Sequence, residues 1–94
     1  MGRIRRPTHP GALLRKIVVP ALGITKVALA KGLGIKRQSL YDILNEKRAI
    51  TPDVAVRLGR ALGNSPQFWM NMQANHDLWH AEQKPEVQMV ERIA

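Results

Sequence analysis

Three side chains in one short stretch have the types and spacing to read a base sequence. Arg37, Gln38 and Tyr41 fall at i, i+1 and i+4, which sets them on one side of a helix. Arginine can give two hydrogen bonds to guanine O6 and N7, and glutamine can make two with adenine N7 and N6. Tyr41 can meet a thymine methyl or a phosphate. Around them stand Thr25, Lys26, Lys36, Ser39, Asn45, Lys47 and Arg48, whose side chains suit phosphate oxygens. Such contacts fix register and orientation and carry no sequence information themselves. Thr25 and the amides at the start of the preceding helix can face a phosphate as well. Asp42 is discordant, because an acid beside this face repels phosphate. It can accept from cytosine N4, pair with Arg37 or Lys47, or point sideways, and the last is expected.

These side chains need a frame, and Lys26–Asn45 reads as one: two short helices broken by a glycine turn. Leu29 and Leu33 with small Ala30 mark the first, and Gly34 permits positive φ at the bend. Leu40, Ile43 and Leu44 give the second an apolar face opposite the reading residues. That is a helix-turn-helix, residues 25–45, whose second helix enters the major groove. Upstream, Pro10 and Gly11 open a helix with a stripe of Leu13, Leu14, Ile17 and Val18. Pro20 is expected to end or kink it, and Leu22-Gly23 closes it. Downstream, Thr51-Pro52 and Ser65-Pro66 are two start signals, each an N-cap hydroxyl followed by proline. The fourth helix should run from Pro52 to about Leu62, burying Val54, Ala55, Leu58, Ala61 and Leu62, with Gly63 after it. The fifth should run from Pro66 to about Ala81, and Pro85 breaks the chain. Glu86–Ala94 has Val87, Val90 and Ile93 at the spacing of a short tail helix. The expectation is an all-α fold of five helices: residues 1–8 a flexible basic arm, 9–81 the helix-turn-helix domain, 82–94 a C-terminal tail.

Ninety-four residues make one domain with a modest core. The net charge of +8 is one-sided. Residues 1–48 hold eleven Lys and Arg against two acids, and residues 49–94 hold four against five. Segregated positive charge suits a polyanion, since each phosphate contacted releases condensed counterions. The absence of cysteine excludes disulfides, thiolate metal sites and a cysteine nucleophile. No apolar run approaches ~20 residues and no secretory h-region follows Met1, so a cytoplasmic protein without membrane contact is expected. His76 and His80 sit four apart, as in two-histidine zinc sites, but the nearest acids are poorly placed as a third ligand and His9 is remote in sequence. No metal, no cofactor and no enzymatic activity are expected. Phe68, Trp69, Met72 and Trp79 concentrate large apolar area on the fifth helix. They can be plain core, a subunit interface, or both at once, and a two-fold dimer joined through this helix is expected, since readers of this kind span half-sites about 34 Å apart.

The chain also resembles the HigA-type antitoxins, a branch of the lambda-repressor-like (Xre) helix-turn-helix family. The likeness covers roughly residues 9–80. It rests on His9-Pro10-Gly11, Leu29-Ala30, Leu33-Gly34, Ile43-Leu44-Asn45, Lys47-Arg48-Ala49-Ile50-Thr51-Pro52, Ala61-Leu62-Gly63 and Ser65-Pro66 with Phe68-Trp69. The resemblance implies a five-helix lambda-repressor-like domain that binds its own operator DNA. It also implies binding and neutralisation of a small RelE-like mRNA-cleaving toxin. The basic arm, the first helix or the acidic tail could each make that contact; such toxins are basic, so the acidic residues from Asp77 onward suit one on charge grounds. The family's reading positions fall on Arg37, Gln38 and Tyr41, with phosphate positions at Lys26 and around Asn45, Lys47 and Arg48. Two residues depart from the family pattern. Lys36 replaces a serine cap, and Glu46 stands where glycine is common, making a positive φ costlier there.

Overall fold

The structure, a computed structural model, describes residues 6–94. Residues 1–5 of the expected arm lie outside the described residues, and 6–8 form no regular element. Every regular element among the described residues is a helix. Three consecutive segments, Pro10–Leu13, Leu14–Val18 and Val19–Leu22, run on as the first, α1. Then come α2 (Lys26–Leu33), α3 (Arg37–Leu44), α4 (Pro52–Leu62), α5 (Pro66–Glu82) and α6 (Pro85–Gln88). The five expected helices are present, and the tail contributes α6, a single turn that stops well short of Ala94.

Local chemistry sets the boundaries. Thr25, Thr51 and Ser65 each accept a backbone N–H with the side-chain oxygen, from Ala28, Val54 and Gln67. Proline follows the cap in α4 and α5. Gly34 ends α2 at φ 70°, where its amide reaches back to Lys31 and Ile35 N–H to Ala30. Lys36 provides no side-chain cap for α3.

α1 closes at Leu22-Gly23 as expected, but Pro20 does not end it: Leu14–Val18 is a π-helical turn in which Val19 N–H bonds to the Leu14 carbonyl, and the helix passes through the proline. The wider turn just before Pro20 relieves the ring's clash with the carbonyl one turn back. It also shifts the apolar stripe. Val18 and Val19 lean on the core beside Leu14, while Ile17 turns outward and is 59% exposed.

The core joins Leu14 of α1, Leu29, Ala30 and Leu33 of α2, Leu40, Ile43 and Leu44 of α3, Ile50, Ala55 and Leu58, and Trp69 of α5. α4 lies along α5, α2 rests on α3 and α4, and α1 crosses α3 and α5. Ala61, expected inside, is exposed, because α4 ends against α5 through Gly59 instead. Gln73 is the buried polar tie. Its Oε1 accepts Ile50 N–H at 2.8 Å, and its Nε2 donates to Asp77. This fixes the loop that leaves α3 to α5.

At the start of α1, His9 is buried and caps the helix through Nδ1, which accepts Gly11 N–H at 2.9 Å. Gly11 then meets α3 backbone to backbone. A Cβ there would lie 1.8 Å from the Ile43 carbonyl oxygen. Gly11→Ala should therefore cost about 3 kcal/mol or more in urea denaturation, since backbone must move. Gly32, with nothing within 4 Å of a built Cβ, should gain about 0.5–1 kcal/mol on substitution by alanine. Burial, then the neighbouring His76, hold the His9 imidazole below the ordinary histidine value of 6.5. The cap needs Nδ1 unprotonated. Below that value the unfolded chain takes up a proton that the folded histidine resists. This contribution is therefore intact above 6.5 and drains away as pH falls through the lower folded value. Urea midpoints should drop between about pH 7.5 and about pH 5.5, and His9→Asn should shrink that drop.

Candidate nucleic-acid interface

α3 has two unlike faces. Leu40, Ile43 and Leu44 are each 1% exposed and seat the helix on α1, α2 and the core. Arg37 and Gln38 are exposed in its first turn, with Ser39 and Tyr41 half-buried beside them. Thr25, Lys26, Lys36, Asn45, Lys47 and Arg48 are all exposed, at the start of α2, before α3 and in the loop after it. The hydroxyl oxygen of Thr25 accepts the Ala28 amide, which leaves its proton for an outside acceptor.

Charge on this surface is organised. Asp42 does not simply point sideways as expected. Its Oδ1 accepts from Gln38 Nε2 at 2.9 Å, and its Oδ2 lies 3.5 Å from the Arg48 guanidinium. Arg37 forms no ion pair among the described residues. Glu46 is the only non-glycine among them with positive φ, at 62°. Arg15 stands beside it, 3.4 Å from its carboxylate, and also donates to the Leu44 carbonyl at the end of α3.

A second arginine works similarly on α2. Arg57 of α4 donates to the carbonyls of Leu33 at 2.9 Å and Gly34 at 3.2 Å, and its Nε meets Asp53 at 2.5 Å. Both helices of the motif thus end in carbonyls held by a guanidinium, which also suits the negative end of the helix dipole. Sequence reasoning missed both clamps. The Asp53–Arg57 and Gln38–Asp42 spacings of four were readable signals, whereas Arg15 and Leu44, 29 residues apart, left none.

The aromatic helix divides differently from expectation. Trp69 is 1% exposed, with its indole N–H on Asn64 Oδ1 at 2.9 Å. It belongs to the core and has no surface left for a dimer. Phe68 is 45% exposed, and Met72 and Trp79 are half-buried. An open apolar groove between α1 and the start of α5 is lined by Leu13, Ile17, Val18, Leu22, Leu62 and Phe68.

His9, remote in sequence, lies against His76 with ring centroids 4.8 Å apart. His76 in turn lies tilted against His80, with ring centroids 4.4 Å apart. The Nε2 atoms of His76 and His80 are 3.1 Å apart, and His76 Nδ1 faces Asp77. Burial, then His76, also lower the His80 pKa. Among the described residues no three His, Cys, Asp or Glu side chains are placed to hold a metal ion, and no helix is long and apolar enough to cross a membrane.

A two-helix motif with one face sealed and one basic face open defines a helix-turn-helix domain. The Helix-turn-helix family model HTH_3 matches residues 14–69. Antitoxin HigA-1 of Vibrio cholerae is 40% identical over 75 residues, covering 80% of this chain and 70% of that protein. Among solved structures, antitoxin GraA in complex with its operator superposes with a TM-score of 0.87 at 34% identity, covering 100% of this chain and 98% of that one. Antitoxin HigA of Pseudomonas aeruginosa, solved with the higBA promoter, gives 0.83 at 37%, covering 95% and 100%. The chain belongs to the helix-turn-helix family and, within it, to the HigA-type antitoxin branch.

Arg57→Met should lower the urea midpoint by an amount equivalent to about 1 kcal/mol, by freeing the α2 carbonyls. An unchanged midpoint would show the clamp contributes nothing.

Proposed function

We propose that this chain is a cytoplasmic, two-fold dimeric antitoxin that represses its own operon and neutralises a RelE-like toxin by direct binding. The carrying observation is the division of α3, with Leu40, Ile43 and Leu44 sealed inside, Arg37 and Gln38 exposed, and Tyr41 half-buried beside them. Arg37 and Gln38 read base edges from the first turn, and Tyr41 follows one turn later. Thr25, Lys26, Lys36, Ser39, Asn45, Lys47 and Arg48 hold phosphates and set register. The operator in the GraA complex and the promoter in the HigA structure support double-stranded operator DNA as the ligand. Phe68, Met72 and Trp79, with the groove beside Phe68, supply apolar surface for the second copy. Toxin binding rests on the family, and the acidic residues Asp77, Glu82, Glu86 and Glu91 offer a basic partner a surface of opposite sign.

A regulator without a toxin partner is the second reading. It is favoured by a Haemophilus influenzae relative named as an uncharacterized HTH-type transcriptional regulator, 33% identical over 78 residues and covered over 73% of its length, with 83% of this chain matched. Co-expression with a small basic product of the adjacent gene separates the two. Co-purification supports the antitoxin, and separate elution of two folded products supports the lone regulator.

Titration with duplex DNA from upstream of the gene tests the reading face. Arg37→Ala should cost about 1–3 kcal/mol and relax base preference at one position. Lys47→Ala should weaken binding to all duplexes and reduce the salt slope by about one. Unchanged affinity in both variants would rule this face out.

A further inference from the structure

An acid beside a phosphate-binding surface is a cost unless it does something there, and the geometry gives Asp42 a task. We propose that Asp42 is a positioning residue for base reading: it fixes the amide orientation of Gln38 and restrains Arg48. The inference rests on α3 being the reading helix. Asp42 lies one turn beyond Gln38, and only the NH2 end of the amide can donate to its carboxylate, at 2.9 Å. That bond settles which end of the Gln38 amide faces which way. One N–H is committed to Asp42. The other N–H and Oε1 remain, and these are the donor and acceptor that adenine N7 and N6 require. A free glutamine could present the pair reversed, and would lose rotamer entropy on binding that this bond has already removed.

The other carboxylate oxygen faces Arg48, in the loop beyond α3, at 3.5 Å. Arg48 is thereby drawn toward the helix and its charge partly offset. The bridge trades indiscriminate phosphate attraction for order at the reading side chain. It raises the ratio of specific to non-specific binding from both sides.

The test uses the full chain and the tightest duplex selected from a random-sequence pool, with a scrambled duplex as reference. Gln38→Ala first identifies the base pair that Gln38 reads. Asp42→Ala should reduce preference at that same base pair by about tenfold, bind the scrambled duplex more tightly, and steepen its salt slope by about one. Asp42→Asn keeps an acceptor oxygen and removes the charge. It should retain the preference while still tightening scrambled-duplex binding. In a Gln38→Ala background, Asp42→Ala should remove no further preference. Melting curves should show each variant folded, since Asp42 is half-exposed and both its partners are exposed side chains. The inference is overturned if Asp42→Ala keeps the wild-type preference, if Asp42→Asn loses it as fully as alanine does, or if the losses add. Should Gln38→Ala itself leave every base preference intact, the reading face fails and this inference with it. Loss on Gln38→Ala without loss on Asp42→Ala sinks the inference alone.

Discussion

The backbone of α1 touches the backbone of α3 at Gly11, with no side chain between them. This approach decides how the outward helix is held. With Gly11 against the Ile43 carbonyl, Leu40, Ile43 and Leu44 are pressed onto Leu14 and the α2 residues with no room for a register slip. His9 caps α1 immediately before that contact, and Pro10 sets the backbone angle between them. The His9-Pro10-Gly11 run is therefore one device: cap, rigid first turn, bare contact. A helix seated this tightly presents its outer side chains at a fixed angle, which recognition of base edges demands.

Positive charge in the first half of the chain serves two ends. Lys26, Lys36, Arg37 and Lys47 face outward. Arg15 is spent on the fold itself, half-buried, holding the end of α3 and standing beside Glu46. Arg57, from the second half, does the same for α2. Net charge therefore overstates the cations available to a polyanion, and Asp42 reduces it further through Arg48. The pair at Glu46 also explains how an acid occupies a left-handed position. The backbone cost there, about 1 kcal/mol, is offset in part by an arginine already needed for the neighbouring carbonyl.

Most of the fold was legible because it was written in local signals. Thr25, Thr51-Pro52 and Ser65-Pro66 mark starts, and Gly23, Gly34 and Gly63 mark stops, each within a few residues of the backbone group it satisfies. Which face of α3 turns outward was legible from the spacing of Leu40, Ile43 and Leu44 alone. What escaped depends on distant partners. Trp69 looked like interface material because a large aromatic signals apolar area without saying where it goes, and Asn64 and the core took it. Ile17 was misplaced because a 3.6-residue period was assumed across a π turn. The meeting of His9 with His76, which itself lies against His80, spans well over half the sequence, and no spacing rule reaches that far. Asp42 was misjudged for a nearer reason: its partners Gln38 and Arg48 were each assigned wholly to DNA.

The π turn in α1 has a consequence for what lengths of chain this domain tolerates. One residue beyond the needs of a regular ladder is stored between Leu14 and Val19. Excising it would leave composition almost untouched and permit uninterrupted α-helical bonding. A wide turn advances less per residue than an α turn, so the surplus is absorbed where it sits, and Leu22 and Gly23 would reach Thr25 from nearly the same azimuth without it. What the loss would remove is the room made for the Pro20 ring. Local under-winding keeps the first helix in phase with the pair it supports.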